Sequence, residues 1–157
     1  MLYMAHGKEN HEKLFEWDPS FNVNIKKIDE QHKHLFEIIN EYFLAMMDAE
    51  ANEVLSETID KLLNYAEYHF SVEEDFFIEY SYIHIDNHIQ QHAYYFAKIK
   101  AYQTMVNAGV KQIGGKPITV ILWIFLKEWL INHIKIEDMK YRDHFISTGD
   151  IKHMTKT

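Results

Sequence analysis

Cysteine is absent from the 157 residues, which removes disulfides, zinc–thiolate sites, iron–sulfur clusters and thiol nucleophiles together. Any metal must then be held by nitrogen and oxygen. Arginine is almost absent as well: Arg142 is the only one, and 16 Lys+Arg against 24 Asp+Glu give a formal charge of −8. Phosphate backbones are bound by clustered Lys and Arg, so no nucleic-acid partner is expected. Long apolar runs are missing too. The longest, Ile118 to Leu126, is far short of a membrane span, and the opening residues lack the apolar stretch of a secretory signal. The expectation is therefore no membrane partner and a cytoplasmic location. What the chain has in excess is histidine, 11 of them, in an acidic and aromatic-rich background with 10 Phe, 10 Tyr and 3 Trp.

The sparse Gly and Pro make the punctuation easy to read. Pro19 lies in an N-terminal arm, Gly109, Gly114, Gly115 and Pro117 mark one late loop, and Gly149 marks an end. Between them apolar residues recur every three or four positions, the helical period, with no alternation long enough for a strand. Four helices are predicted: roughly Ile28 to Asp48, Glu53 to Tyr80 with Asn52 as N-cap, Asp86 to Ala108 with Gly109 as stop, and one starting near Pro117. Short loops between amphipathic helices favour an all-α, up-down-up-down four-helix bundle. The expected division is a partly ordered arm over 1–16, a bundle over 17–147 and a tail over 148–157. Trp17, Phe21, Val23 and Ile25 are expected to lie against the bundle.

Polar residues interrupt the apolar stripes at His32, His69, Glu73, His88, His92 and His133. Each sits where the pattern calls for Leu or Ile, and a carboxylate buried there must pair, neutralise or bind a cation. His69/Glu73 and His88/His92 are i,i+4 pairs that project from one side of a helix. Imidazole and carboxylate without sulfur suit iron, zinc, copper or manganese. The other histidines fit solvated positions: His34 faces away from His32, His6, His11 and His153 are near the ends, and His144 is beyond the bundle centre. His84, one turn before His88, sits at the very start of its helix and is not expected to bind.

The strings Ile28-Asp29-Glu30-Gln31-His32-Lys33, His69-Phe70 followed by Glu73-Glu74, His88 with His92, and Trp129-Leu130-Ile131-Asn132-His133-Ile134 followed by Asp138 and Lys140-Tyr141-Arg142 resemble the hemerythrin family. Its single-domain bacterial members are the nearest fit, and the resemblance runs from about Phe15 to Phe145. It implies reversible dioxygen binding at two non-haem iron ions with an oxo or hydroxo bridge. His88, His92 and His133 would complete one iron and His32 and His69 the other, with Glu73 and Asp138 bridging and the open position on the second ion. Leu35, Phe70, Trp129 and Ile134 match the apolar lining of the oxygen pocket. On a regular helix the partner of His133 would be Glu137, because Asp138 at i+5 points about 140° away. Following the resemblance therefore predicts a π-type widening between His133 and Asp138. The stretch Tyr80-Ser81-Tyr82-Ile83 departs from relatives that often carry Gly and Pro there.

Three function classes follow. The leading one is an oxygen carrier or store that is not an enzyme; the others are an oxygen or redox sensing module and a peroxide- or NO-reactive di-iron enzyme. Oxygenase-type bundles use Glu-x-x-His ligand pairs, and no Glu in this sequence is followed by His three residues later. Ile121 and Phe125 lie opposite the apolar stripe of the last helix, either beneath the N-terminal arm or as a self-association surface.

Overall fold

The computed structural model describes residues 16–48 and 51–154. Its elements are α1 (Lys26–Met47), α2 (Ala51–Glu79), α3 (Ile85–Asn107), a hairpin of β1 (Gln112–Ile113) and β2 (Lys116–Pro117), then α4 (Ile118–Asn132). A π-helical turn, His133–Asp138, joins α4 to α5 (Met139–Thr148), and a single-turn α6 (Ile151–Met154) follows. α1 packs on α2 and α4, and α3 packs on α2 and α4, which closes a four-helix bundle.

Local chemistry explains the boundaries. The Asp18 carboxylate caps a 3-10 turn at Pro19–Phe21 by accepting from Ser20 N at 2.7 Å. Asp29 on α1 accepts from Val23 N at 2.8 Å and so fastens the entering strand of chain to the helix. Phe21, Val23 and Ile25 are buried there and Trp17 is half-buried, as their apolar character predicts. α1 begins two residues earlier than the periodicity indicates. α2 begins at Ala51, so Asn52 is an exposed first-turn residue and not the expected cap. Gly109, with φ +79°, ends α3 as predicted, with Val110 N donating to Met105 O at 3.0 Å.

The late loop is a small hairpin that periodicity could not show, because its strands are two residues each. Ile113 pairs with Lys116 across Gly114-Gly115, both with positive φ, the backbone that a two-residue hairpin turn of right-handed twist needs. Between α2 and α3 the left-handed position falls on Ser81, with φ 54°, where glycine would carry no penalty. Tyr82 N still closes the turn on Phe77 O at 2.8 Å, and the Tyr82 ring is buried.

Two apolar clusters fill the bundle. One holds Leu35, Phe36, Ile39, Leu62, Phe70, Ile99, Leu122, Leu126, Leu130 and Ile134; the other holds Ile25, Ile28, Val72, Phe77, Tyr82, Tyr141, Phe145 and Met154. Each buried Leu, Ile or Phe contributes about 1.5–3 kcal/mol. The segment after residue 147, expected as a tail, includes α6, whose Met154 completes the second cluster. Of the arm expected over 1–16 only Glu16 is described; residues 1–15, with His6 and His11, lie outside the described residues.

Along every main helix the polar interruptions fall between the two clusters: His32 between Ile28 and Leu35, His69 and Glu73 between Ala66 and Phe77, His133 and Asp138 between Leu130 and Tyr141. The bundle is thus an apolar column with one polar layer across it.

Candidate metal centre

All seven predicted ligands are buried, with His32 and Asp138 at 0 % exposure. Glu73, His88, His92 and His133 place one ligand atom each within 4.8 Å of one another, and His32, His69 and Glu73 do the same. The two groups share Glu73, whose two oxygens divide between them. Oε1 lies 3.7 Å from both His32 Nε2 and His69 Nε2, while Oε2 lies 3.1 Å from His92 Nε2 and 3.7 Å from His88 Nε2.

Asp138 spans the same two groups. Its Oδ2 is 3.2 Å from His32 Nε2, and its Oδ1 is 3.2 Å from His133 Nε2 and 3.4 Å from His88 Nε2. This position depends on the π turn, which is found over His133–Asp138 as expected. The extra residue in the turn swings Asp138 inward while Glu137 stays half-buried and bonds Lys140 at 2.7 Å.

These close atoms are not hydrogen-bonded to one another. Glu73 Oε2, both Asp138 oxygens and the Nε2 atoms of His32, His88, His92 and His133 are buried without a hydrogen-bond partner. Leaving one such group unsatisfied costs about 1–3 kcal/mol, so seven of them converging in one layer require a common partner. The donor set of imidazoles and carboxylates fits cations of the iron, zinc or manganese type.

The outer shell fixes the rings. Gln31 Oε1 is 2.9 Å from His69 Nδ1 and Glu74 Oε1 is 2.8 Å from His92 Nδ1, so each Nδ1–H donates outward and each Nε2 faces the layer. Tyr141 donates its hydroxyl to Glu73 Oε1 at 2.8 Å. Ring packing holds others: Phe70 stacks on His92 at 3.8 Å and Trp129 on His133 at 4.3 Å.

Electrostatics follow the same map. Burial alone would depress His32, but Asp138 and Glu73 outweigh it and lift the imidazole to about 9. His92 also reaches about 9, with burial opposed by Glu73 and Glu74. Burial takes His69 down to about 3 against the pull of Glu73. Asp138 is raised to about 6 by burial and by the Glu73 charge. Glu73, although burial opposes it, is held well below the carboxylate range by the surrounding histidines.

Of the expected pocket residues, Leu35, Phe70 and Trp129 line an enclosed apolar cavity together with Ile39, Leu62, Ala66, Tyr95, Leu126 and Leu130. Ile134 is fully buried in the same cluster but is not among that lining. His34 and His153 are exposed as expected. His144 is half-buried, not solvated, because its ring meets Tyr82 edge-on at 5.3 Å. His84 stays outside the layer, exposed beside a polar recess of about 190 Å³ that it lines with Tyr82, Asn87, His88, Glu137 and Lys140. Phe125 is half-buried against Tyr102 and Tyr94 of α3, at 5.9 and 6.3 Å, and Ile121 is half-buried too. Residues that sequence reasoning did not assign to the site are Gln31, Glu74, Tyr95 and Tyr141. For Tyr95 the available signal was a hydroxyl on the apolar stripe of α3.

A helical bundle crossed by one buried imidazole–carboxylate layer defines the class: a cation-binding four-helix protein. The model of the Hemerythrin HHE cation binding domain matches residues 23–144, and the chain belongs to that family. A hemerythrin-like protein of Naegleria gruberi is 34% identical over 128 residues, covering 82% of this chain and 91% of that protein. A myohemerythrin of Theromyzon tessulatum gives the same identity and coverage, and a bacteriohemerythrin of Clostridium acetobutylicum is 29% identical over 83% of this chain and 100% of its own. A solved crystal structure of a mutant protein shares the fold with TM-score 0.71 at 23% identity, covering 83% of this chain and 95% of that one. No described helix is long and apolar enough to cross a membrane.

Proposed function

We propose that the chain binds dioxygen reversibly at two non-haem iron ions, as an oxygen carrier or store and not as an enzyme. The observation that carries this reading is the division of Glu73 and Asp138 between two histidine groups, one oxygen to each side. His88, His92 and His133 would hold one iron and His32 and His69 the other. Glu73 and Asp138 would be shared between the two, and the His32/His69 group offers one imidazole fewer than the other. The irons, when bound, would supply the electrons and the binding position for dioxygen.

The protein's own groups serve retention of the ligand. Gln31 and Glu74 hold His69 and His92 in the tautomer that presents Nε2 inward. Tyr141 steadies Glu73 from outside the layer. Leu35, Phe70 and Trp129 exclude water from the neighbouring volume, and a dry surrounding suppresses the side reactions that end in inert ferric iron. A layer with five imidazoles and two carboxylates is poor in carboxylate for cleaving the O–O bond, which supports binding over oxygenase chemistry.

The test is the visible spectrum of the reduced protein through repeated exposure to oxygen and removal of it, beside assays for consumption of peroxide and nitric oxide. A stable adduct that disappears when oxygen is withdrawn supports the proposal. Rapid one-way oxidation with turnover of peroxide or nitric oxide would overturn it in favour of an enzyme.

A further inference from the structure

A polar recess of about 190 Å³ lies between the start of α3 and the π turn, walled by Tyr82, His84, Asn87, Glu137 and Lys140. His88 borders it too, and the same ring places Nε2 in the layer, 3.4 Å from Asp138 Oδ1 and 3.7 Å from Glu73 Oε2. One imidazole thus touches both the recess and the buried ligands. The volume is that of several water molecules, so a hydrated ion fits.

His84 precedes His88 by one turn, and His88 N donates to His84 O at 3.2 Å. His84 is exposed at the N-cap of α3, where Ser, Thr, Asp or Asn would satisfy a free backbone N–H, and its side chain makes no capping bond. The helix start gains nothing from this imidazole. Across the recess the Glu137 side chain is 19 % exposed, and Lys140 Nζ holds its Oε2 at 2.7 Å. An imidazole, a carboxylate and a ligand ring therefore share one opening. The cavity lined by Leu35, Phe70 and Trp129 is apolar, and a hydrated cation would lose its water there without replacement. In the recess each water given up can be exchanged for a donor of the kind that the layer itself offers.

We infer that this recess is the loading port of the layer, in which His84 and Glu137 take a hydrated divalent cation, replace part of its water and hand it to His88. Lys140 is the latch: it releases Glu137 when the ion arrives and returns once the ion has passed. His84 is a transient partner and not an eighth ligand. The inference rests on the cation reading of the layer and is independent of what the bound ions go on to bind.

For the test, metal-free protein is mixed with ferrous iron in the absence of oxygen, and bound metal is counted at intervals. Loaded protein is then mixed with excess chelator and its loss of metal is followed in the same way. His84→Ala should slow both uptake and loss on the order of tenfold, the lower end of what removing a partner of a metal ligand costs, with the final count unchanged. A residue that eases passage acts equally in both directions, whereas a merely structural defect would speed loss. Lys140→Met, which frees Glu137, should speed both. Lys61→Met, which removes an equal charge beside Glu57 on α2, should change neither. Unchanged rates, faster loss or a lower final count in His84→Ala would each overturn the inference. So would no acceleration by Lys140→Met, or equal acceleration by the two lysine variants. If melting shows that metal-free His84→Ala is not folded, the lysine pair decides alone. Wild-type protein that takes up no cation would overturn the reading of the layer as well, whereas equal rates in all variants with a full final count would overturn the port alone.

Discussion

Tyr141 shows how a single side chain outside the proposed ligand set bears on it. Its hydroxyl bonds Glu73 Oε1, and the whole ring is buried between Phe77 and Phe145. Tyr141→Phe keeps the packing and removes one hydrogen bond to a charged group, which is worth about 1.5–3 kcal/mol. Denaturant unfolding of the metal-loaded protein should show a loss of that order, and an unchanged midpoint would mean that Glu73 is held by other contacts. Glu74 and Gln31 differ in kind: one places a carboxylate on a ligand histidine, the other a neutral amide. Much of this scale was legible in the sequence for one physical reason. A buried ligand must replace an apolar residue on a helical stripe, so His32, His69, Glu73, His88, His92 and His133 stand out by periodicity. Tyr141, Gln31 and Glu74 do not, because Tyr is at home in an apolar stripe and the other two flank the stripe by one residue. Only contact across helices reveals their partners.

Asp138 belongs to the scale of the element. Regular α geometry selects Glu137 as the partner of His133, and the π turn over His133–Asp138 reverses that choice. Asp138→Ala should therefore lose bound metal, whereas Glu137→Ala, which breaks only the contact with Lys140, should keep it. Metal content of the two purified variants decides the matter, and retention by the first with loss by the second would contradict the assignment. The helices themselves were readable from periodicity to within a few residues. The hairpin before α4 was not, because two-residue strands leave no alternating pattern. The start of α2 was misread because Asn52 has the chemistry of a cap but follows the helix's first residue. At Ser81 the chain accepts a left-handed residue without glycine; Ser81→Gly should relieve that local penalty without touching a ligand.

At the scale of the molecule the polar layer divides the core in two, and its charges set the pH response. His32 and His92 have folded values near 9 against an ordinary 6.5. A histidine with a raised folded value adds stability that is complete below 6.5 and is lost as pH rises through 9. His69, near 3 when folded, and His133, held well below its ordinary value by burial, oppose this slope only until their unfolded imidazoles have lost their protons, about one pH unit above 6.5. The metal-free protein should thus melt at progressively lower temperature between about pH 7.5 and 9. Cation binding needs both imidazoles neutral, so metal uptake releases protons and tightens over the same window. Parallel melting curves of metal-free and metal-loaded protein should diverge as pH rises, and a metal-free midpoint that climbs with pH would contradict the placement of these charges.

The central claim is that seven side chains, from α1, α2, α3 and the π turn that follows α4, hold two ions. It is tested most directly by counting metal per chain in protein purified with iron and recording its visible spectrum before oxygen, with oxygen and after oxygen is withdrawn. The account predicts two irons per chain and a spectrum that returns to its starting form. One ion or none per chain, or a spectrum indifferent to oxygen, would contradict it.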